Sequence, residues 1–344
     1  MKRKIILTTV LLSLTQFLLA QKMPWLDKRP WIVLFEDSCS VFDNNKWYKV
    51  NNRTHGDPAG NDEEPQIYTS DNVYNSNGKI VLRTQRLNTP LPHPNSENCM
   101  YEDEHYYTSG EIISQDQYQY GYFEIYAQLP VSDGYWPAFW FHNSGNDWYN
   151  EIDVFEGDGA RLDSLTCGSW YYFGPWPFDT LYESPHIYNC NFANGYHWYG
   201  VKWNSCKITW YFDRQKVKED INNYDGVGIQ HPMRMIMNTA LFPPTWENTP
   251  VTETTIFPNY MYIDQINGYM LNCQDKNLVV NEIYDFNTYN YAIKKSISLS
   301  GLTSLPNNGN VSLYATDFIS LGGGFHVPLG TTFSAGISKE CNCQ

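Results

Sequence analysis

Most of the chain consists of short segments that alternate between apolar and polar residues or run apolar. β-branched and aromatic residues are frequent in these segments, and Gly, Asn, Asp and Pro separate them, a pattern typical of β-strands. No stretch keeps helical periodicity beyond about two turns. The clearest predicted strands are residues 77–86, 121–130, 196–203, 207–214, 233–242 and 261–271. So many short strands predict an all-β fold, a two-sheet antiparallel β-sandwich, as the main body of the chain.

A change in composition near Cys273 predicts a boundary. Residues 274–344 are poor in Trp and rich in Ser, Asn and Gly, with short strands such as "SISLSG", "VSLYAT" and "DFISLGGGF". We expect residues 21–273 to form the β-sandwich and residues 274–344 a small C-terminal β-module, to which the sequence assigns no role.

The first twenty residues predict a cleaved signal peptide. Lys2, Arg3 and Lys4 precede an apolar stretch that is short for a membrane span, and Ala20 is a plausible cleavage position. The alternative is an uncleaved membrane anchor. We therefore expect a protein that is secreted, periplasmic or attached to the cell surface, with no membrane span in the mature chain.

Charge and aromatic content narrow the class of ligand. Charged residues make up 17% of the chain and aromatic residues 16%, and removal of residues 1–20 takes the formal net charge from −14 to −17. An acidic chain without basic runs is a poor candidate for binding nucleic acid or an anionic membrane. Aromatic side chains instead suit neutral ligands with flat apolar faces, of which sugars are the obvious class, and we expect a monomer.

Eight cysteines fit an exported chain but do not define a framework. An even number permits disulfides, yet eight cysteines allow 105 pairings and the sequence does not choose among them. Because paired C-x-x-C motifs are absent from the sequence, the cysteines do not predict a structural zinc site.

The segment "YNEIDVFEGDG" places three acids within six residues. Side chains of a strand alternate between its faces, so Glu151 and Asp153 should share one face and Glu156 should point to the other. A β-bulge at Val154-Phe155 would restore the phase and put all three acids on one face. Two glutamates leaning inward could then bring their carboxyl groups to about 5–6 Å, near the separation of about 5–5.5 Å found in retaining glycosidases. The alternative is an acidic, solvated strand face.

The sequence around these acids resembles glycoside hydrolase family 16, in particular its laminarinase-like branch. The resemblance rests on "GYFEIYAQLPVSDGYWPAFWF" followed by "NEIDVFE", and on "YHWYGVKWNSCKITWYFD" and "MYIDQINGY" in the family's order. It implies a β-jelly roll with a substrate groove on its concave sheet, and cleavage of β-linked polysaccharide without a catalytic cofactor. By the same resemblance Glu151 is the nucleophile, Asp153 the assisting acid and Glu156 the general acid/base.

The resemblance also implies binding residues outside the acid motif. Trp136 and Trp140 match groove aromatics, with core packing as the alternative. Glu124 matches a sugar-binding Glu on a groove strand, and His197 matches a strand histidine that is either a substrate contact or structural. Asp264 matches the carboxylate that often ligates a structural calcium, with an ordinary strand-end carboxylate as the alternative.

Two departures from the family pattern leave the substrate open. Tyr126 stands where the laminarinase-like branch usually has Arg, and Ser169-Trp170 stands where many relatives have Thr-x-His. The loop carrying Trp170 and Trp176 could rebuild the binding subsites. β-1,3- or β-1,3/1,4-glucan is the first expectation. The alternatives are an endo-hydrolase of a marine galactan of the agar, porphyran or carrageenan type, a transglycosylase on the same scaffold, and a non-catalytic polysaccharide-binding protein.

Overall fold

The computed structural model describes part of the chain. The described residues are 21–23, 27–55, 63–94, 104–145, 147–173, 181–222, 228–246, 249–273, 276–280, 286, 293–300, 303 and 305–338. The predicted signal peptide, residues 1–20, lies outside them. Within these ranges no helix is long and apolar enough to cross a membrane.

Two large, mainly antiparallel sheets form the body of the protein and confirm the predicted sandwich. The described strands of the eleven-stranded sheet are β1 (Gln21–Met23), β2 (Asp27–Asp37), β4 (Gln66–Tyr68), β5 (Val73–Ser76), β6 (Lys79–Pro92), β7 (Glu104–Ser109), β9 (Gly121–Gln128), β15 (His197–Trp203), β16 (Lys207–Phe212), β17 (Gln215–Ile221) and β19 (Asn259–Leu271). Those of the eight-stranded sheet are β3 (Trp47–Lys49), β8 (Glu111–Ser114), β10 (Tyr135–Gly145), β11 (Trp148–Gly157), β12 (Ser164–Phe173), β13 (Leu181–Glu183), β14 (His186–Asn189) and β18 (Arg234–Leu241).

The core lies between these two sheets and follows from the alternation of each strand. Phe123 and Ile125 of β9 are fully buried and belong to the same apolar cluster as Phe139 and Phe141 of β10. The rings of Phe123 and Phe141 lie 5.2 Å apart. Because alternate residues of these strands fill the core, the remaining residues face outward on either side of the sandwich.

The residues beyond Cys273 form a sheet of their own. β20 (Asn277–Val280), β21 (Lys294–Leu299), β22 (Asn310–Leu321) and β23 (Thr332–Ile337) pair side by side, all in parallel. Leu299, Val311 and Leu313 belong to a separate buried cluster within this sheet. The domain boundary at residue 273 stays a prediction, and the parallel pairing is a feature that the short apolar runs did not indicate.

The C-terminal sheet also contacts the outer face of the eleven-stranded sheet. Ile293 and Tyr314 pack with Trp31, Tyr269 and Leu271 in one apolar cluster. Cys273, two residues after Leu271, is disulfide-bonded, and so is Cys206. Cys39, Cys167 and Cys190 are free thiols. Ile293 and Tyr314 therefore cover aromatic surface that the sandwich would otherwise expose.

Candidate active site

The three acids of the E-x-D-x-x-E segment lie on β11, and the predicted bulge is present. Against β12, Asp153 pairs with Gly168 and Glu156 with Thr166, so three steps along β11 correspond to two along β12. Val154 and Phe155 sit at this irregularity, and both are buried in the core together with Ile152. The extra residue shifts the phase of the strand, which leaves the acids on the outer face of the eight-stranded sheet.

All three acids line one cleft on that face. The same cleft is lined by His55, Glu64, Trp136, Ala138, Trp140, Asn238 and Trp246. Asp153 is buried between Glu151 and Glu156, which are both partly exposed. The two outer glutamates therefore flank a buried carboxylate and face the same cleft. Acid/base chemistry on a single bound substrate requires such an arrangement.

Each outer glutamate accepts one hydrogen bond from an aromatic neighbour. The Trp136 Nε1–H group donates to Glu156 Oε1 at 3.0 Å. The Tyr149 hydroxyl donates to Glu151 Oε2. These bonds orient the two carboxylates and stabilise their charged forms.

Burial and mutual repulsion raise the pKa of the acids. Burial, followed by the charge of Glu151, raises the pKa of Glu156 to about 7, although the hydrogen bond from Trp136 lowers it in part. The pKa of Asp153 lies well above its ordinary range because the group is buried and both neighbours are acids. Burial also raises the pKa of Glu151, against the hydrogen bond from Tyr149. Near neutral pH the site therefore holds protons that three isolated carboxyl groups would have released.

Tryptophans form the walls of the cleft, as the sequence predicted for Trp136 and Trp140. Trp136 stacks on Phe242 with ring centroids 5.3 Å apart and lies 4.9 Å from the ring of Trp246. Trp140 donates its Nε1–H to Asn238 Oδ1 at 3.0 Å. Trp140 also packs against a small buried cluster, so groove lining and packing are not exclusive for this side chain.

Sequence reasoning missed several residues of the cleft, chiefly His55 and Glu64. His55 Nε2 lies 2.7 Å from Glu111 Oε2. Burial lowers the pKa of His55, but the carboxylates of Glu111 and Glu64 raise it, and the net change is upward. His55 and Glu64 precede β4 in irregular chain, where no periodicity marks a side chain as facing the cleft. The only available signal was a histidine followed eight and nine residues later by the adjacent acids Glu63 and Glu64.

The structure contradicts the predicted place of Glu124 in the groove. Its strand, β9, belongs to the eleven-stranded sheet, and Glu124 faces away from the core residues Phe123 and Ile125. The fully buried carboxylate accepts hydrogen bonds from Tyr122 Oη at 2.8 Å and from Arg214 Nη2 at 2.9 Å. Glu124 is therefore a structural ion-pair residue on the far side of the sandwich.

His197 also has a structural place rather than one in the cleft. It lies on β15 of the eleven-stranded sheet, where its Nδ1 is 2.8 Å from Asp213 Oδ2. Its ring stacks on Phe212 with centroids 5.0 Å apart. The structural alternative for this histidine is the one that the fold adopts.

Trp170 lies on the same face as the acids. It pairs with Glu151 across β11 and β12, and its ring covers Gly168, the partner of Asp153. A Cβ atom at Gly168 would stand 2.6 Å from the Trp170 ring, so the absence of a side chain at residue 168 makes room for the indole. Trp176 lies outside the described residues.

Asp264 has a cationic partner from the chain itself. Lys79 Nζ donates to Asp264 Oδ1 at 2.7 Å, and both side chains are partly exposed. This contact involves Oδ1, and a carboxylate has a second oxygen that can ligate a calcium ion. A structural calcium at Asp264 therefore stays a prediction.

Comparisons with known proteins agree with this fold. The family model "Glycosyl hydrolases family 16" matches residues 61–259. The chain is 29% identical over 257 residues to glucan endo-1,3-beta-glucosidase A1 of Niallia circulans, an alignment that covers 67% of this chain but only 36% of that protein.

Two solved structures share the fold at low sequence identity. The kappa-carrageenase of Pseudoalteromonas carrageenovora superposes with a TM-score of 0.60 at 23% identity over 73% of this chain and 99% of that one. The laminarinase catalytic domain of Thermotoga maritima MSB8 superposes with a TM-score of 0.58 at 23% identity over 70% of this chain and 98% of that one. With a family model that matches more than half of its length, the chain belongs to glycoside hydrolase family 16.

Proposed function

We propose that this protein is an exported, retaining endo-glycoside hydrolase that cleaves β-linked polysaccharide by double displacement. The observation that carries the proposal is the bulge in β11, which brings Glu151 and Glu156 onto one face of one cleft. The raised pKa of about 7 at Glu156 supplies a carboxylic acid that still holds its proton near neutral pH. Retaining glycosidases need such a pair, one carboxylate to attack and one acid to donate.

In the proposed reaction Glu151 is the nucleophile, and Glu156 is the acid of the first step and the base of the second. Glu151 attacks the anomeric carbon as Glu156 protonates the leaving glycosidic oxygen, so the old bond breaks while a glycosyl ester forms on Glu151. Glu156, now a carboxylate, removes a proton from a water molecule. That water attacks the anomeric carbon, and the bond from this carbon to the Glu151 oxygen breaks and releases Glu151. Two inversions at one carbon retain its configuration.

Asp153 and Tyr149 would tune this cycle. A protonated Asp153 can share its proton with either glutamate, which limits the negative charge between them. The Tyr149 hydroxyl donates to Glu151 and so keeps the nucleophile oriented and ionised. The Trp136 Nε1–H group donates to Glu156 in the same way and stabilises its carboxylate once Glu156 has given up its proton.

β-1,3- or β-1,3/1,4-glucan is the substrate class that we propose first. The indole rings of Trp136, Trp140 and Trp246 give the cleft flat apolar walls, which suit the C–H faces of neutral sugars. The relative from Niallia circulans is a glucan endo-1,3-beta-glucosidase by name, and a second relative, from Rhizobium meliloti, is named an endo-1,3-1,4-beta-glycanase.

A sulfated or otherwise anionic galactan is the second candidate, and one observation favours it. A second depression shares Trp140 and Glu151 with the cleft and carries Arg53, Arg234 and His142 in its wall. Arg53 is exposed, whereas Arg234 Nη1 donates to the backbone oxygen of Ser114 at 2.6 Å. Burial, followed by the charge of Arg53, lowers the pKa of His142 to about 4, so the two arginines carry the positive charge of this depression. In a chain of net charge −14 these arginines are where an anionic substituent would bind.

A reducing-sugar assay on a polysaccharide panel tests the proposal and separates the candidates. We expect turnover of laminarin or a mixed-linkage glucan, little of κ-carrageenan or porphyran, and none by a Glu151→Gln control on any polymer. In Arg53→Ala, glucan hydrolysis should stay within about twofold of wild type, whereas hydrolysis of an anionic galactan should fall at least about tenfold if that is the substrate. No turnover on the whole panel by folded protein would contradict the proposed function, and products longer than the substrate would identify a transglycosylase.

A further inference from the structure

A cluster of metal-ligating side chains lies outside the cleft. Glu63 precedes β4, His93 directly follows β6, and His105 is the second residue of β7. One ligand atom from each of the three lies within 4.8 Å of the other two. Both imidazoles are buried, with 3% of His93 and 5% of His105 exposed, and their ring centroids are 5.4 Å apart. Three residues from separate segments thus converge on one small volume.

The hydrogen bonds leave one ring nitrogen ready to act as a ligand. His105 Nδ1 lies 3.2 Å from the carbonyl oxygen of Pro65. A carbonyl oxygen only accepts, so Nδ1 carries the hydrogen and Nε2 carries a lone pair. This Nε2 is buried and has no hydrogen-bonding partner among the residues that the structure describes. A buried polar atom without a partner costs free energy, and in native proteins it calls for an explanation.

The opposite side of the cluster presents a charge suited to a cation. Glu63 Oε1 lies 2.7 Å from His93 Nε2. A carboxylate next to two imidazoles is a ligand set that divalent transition metals use, and zinc accepts it in tetrahedral geometry. The Pro65 carbonyl on His105 Nδ1 corresponds to the outer hydrogen bond that usually orients a metal-bound histidine.

We propose that Glu63, His93 and His105 bind one zinc ion or a similar divalent transition metal. The ligands need to close to zinc distances of about 2.0–2.2 Å, which requires only small side-chain movements from a separation of at most 4.8 Å. The fourth position is left for water or another group. The site differs from the calcium that the sequence predicted in its residues, its ligand chemistry and its place in the fold.

The site would connect the β6–β7 hairpin to the wall of the cleft. Glu63 contacts His93 and Pro65 contacts His105, and Glu64 between them lines the cleft. The Glu64 side chain is buried and its Oε2 accepts a hydrogen bond from Gln66 Nε2 at 2.6 Å. A metal at the neighbouring residue would hold Glu64 in place, so its role is structural and independent of the proposed reaction.

Metal analysis of the full-length chain tests the site directly. Purified wild-type protein is dialysed first against buffer with added zinc and then against metal-free buffer. It should retain about one zinc ion per chain. His105→Ala and His93→Ala should each retain less than a tenth of that amount. His186→Ala, which removes an exposed histidine on β14, is the matched control and should retain the wild-type amount.

A second variant and a second readout cover the case in which these alanine variants misfold. Glu63→Gln keeps a hydrogen-bonding group beside His93 but loses the charge, and we expect its zinc affinity to fall at least about tenfold. After treatment with a chelator, zinc alone should raise the thermal midpoint of wild type and of His186→Ala, but not that of Glu63→Gln at the same concentration. Wild-type protein that retains less than a tenth of an equivalent of zinc, or His105→Ala that retains as much as wild type, would overturn the proposal.

Discussion

Replacement of Glu156 by Gln should stabilise the protein at alkaline pH. The pKa of Glu156 is raised from 4.5 to about 7, chiefly by burial and then by Glu151. At about 1.4 kcal/mol for each pH unit, this difference corresponds to a loss of about 3 kcal/mol of folding free energy when the group ionises. Gln has nearly the same shape and cannot ionise.

The sign of the effect depends on pH. The folded state holds the proton of Glu156 more tightly than the unfolded state, so the folding free energy is fully retained below about pH 4.5 and is lost progressively as the pH rises to about 7. The stability difference between Glu156→Gln and wild type should therefore be small at pH 4.5, increase to pH 7 and level off above it. Half of the increase should be reached near pH 6, about midway between the two pKa values.

Urea unfolding of both proteins at each half unit from pH 4.5 to 9 measures this difference. Glu219→Gln is the matched control, because hydrogen bonding and charge from Lys207 lower the pKa of Glu219. Removal of that carboxylate should slightly destabilise the protein above pH 5, the opposite sign. A difference between Glu156→Gln and wild type that stays constant across the whole range would refute the raised pKa, and with it the assignment of Glu156 as the proton donor.

Four further predictions concern the cleft and the C-terminal sheet. Trp136→Phe should keep the stacking on Phe242 but lose the hydrogen bond that lowers the pKa of Glu156. The alkaline limb of the pH profile of kcat/KM should therefore move upward from about pH 7, and an unmoved limb would contradict this role of Trp136. Tyr149→Phe should reduce kcat roughly 10- to 100-fold and move the acidic limb upward, as the hydroxyl lowers the pKa of Glu151; kinetics equal to wild type would remove Tyr149 from the mechanism. Trp140→Ala should lower kcat/KM by an amount equivalent to about 1–3 kcal/mol, because the stacking on the sugar is lost. If the folded fraction of this variant is as active as wild type, Trp140 is a packing residue only. A chain ending at Leu271 should keep its kcat/KM on soluble oligosaccharides but unfold at a lower temperature, because Ile293 no longer covers Trp31; a folded but inactive product would contradict the separation at residue 273.

The bulge in the E-x-D-x-x-E segment could be predicted from the sequence because the information that specifies it is local. Alternation along a strand is fixed by backbone geometry, so an acid out of phase at Glu156 required a bulge at Val154-Phe155, and the bulge is there. The turn between β16 and β17 also depends only on adjacent residues. Asp213 and Arg214 at its tip both adopt positive φ, at 47° and 62°.

The errors arise where the information is not local. Alternation shows that Glu124 points away from Phe123, but it does not show which of two sheets β9 joins, and that decides whether Glu124 faces the cleft or the opposite side. His55 and Glu64 reach the cleft from irregular chain, where their orientation depends on the packing of distant strands. The parallel C-terminal sheet depends on pairing between segments about twenty residues apart, such as Asn310 with Thr332, which no single short strand reveals.

Azide rescue of two alanine variants tests most directly whether Glu151 is the nucleophile and Glu156 the acid/base. With an activated β-aryl glycoside, whose leaving group needs no proton, Glu156→Ala should still form the intermediate on Glu151, and azide should then release the β-glycosyl azide. Glu151→Ala forms no intermediate, so azide should displace the leaving group directly and give the α-glycosyl azide. NMR distinguishes the two products. Opposite anomers from the two variants are the predicted result, and the same anomer from both would contradict the assignment.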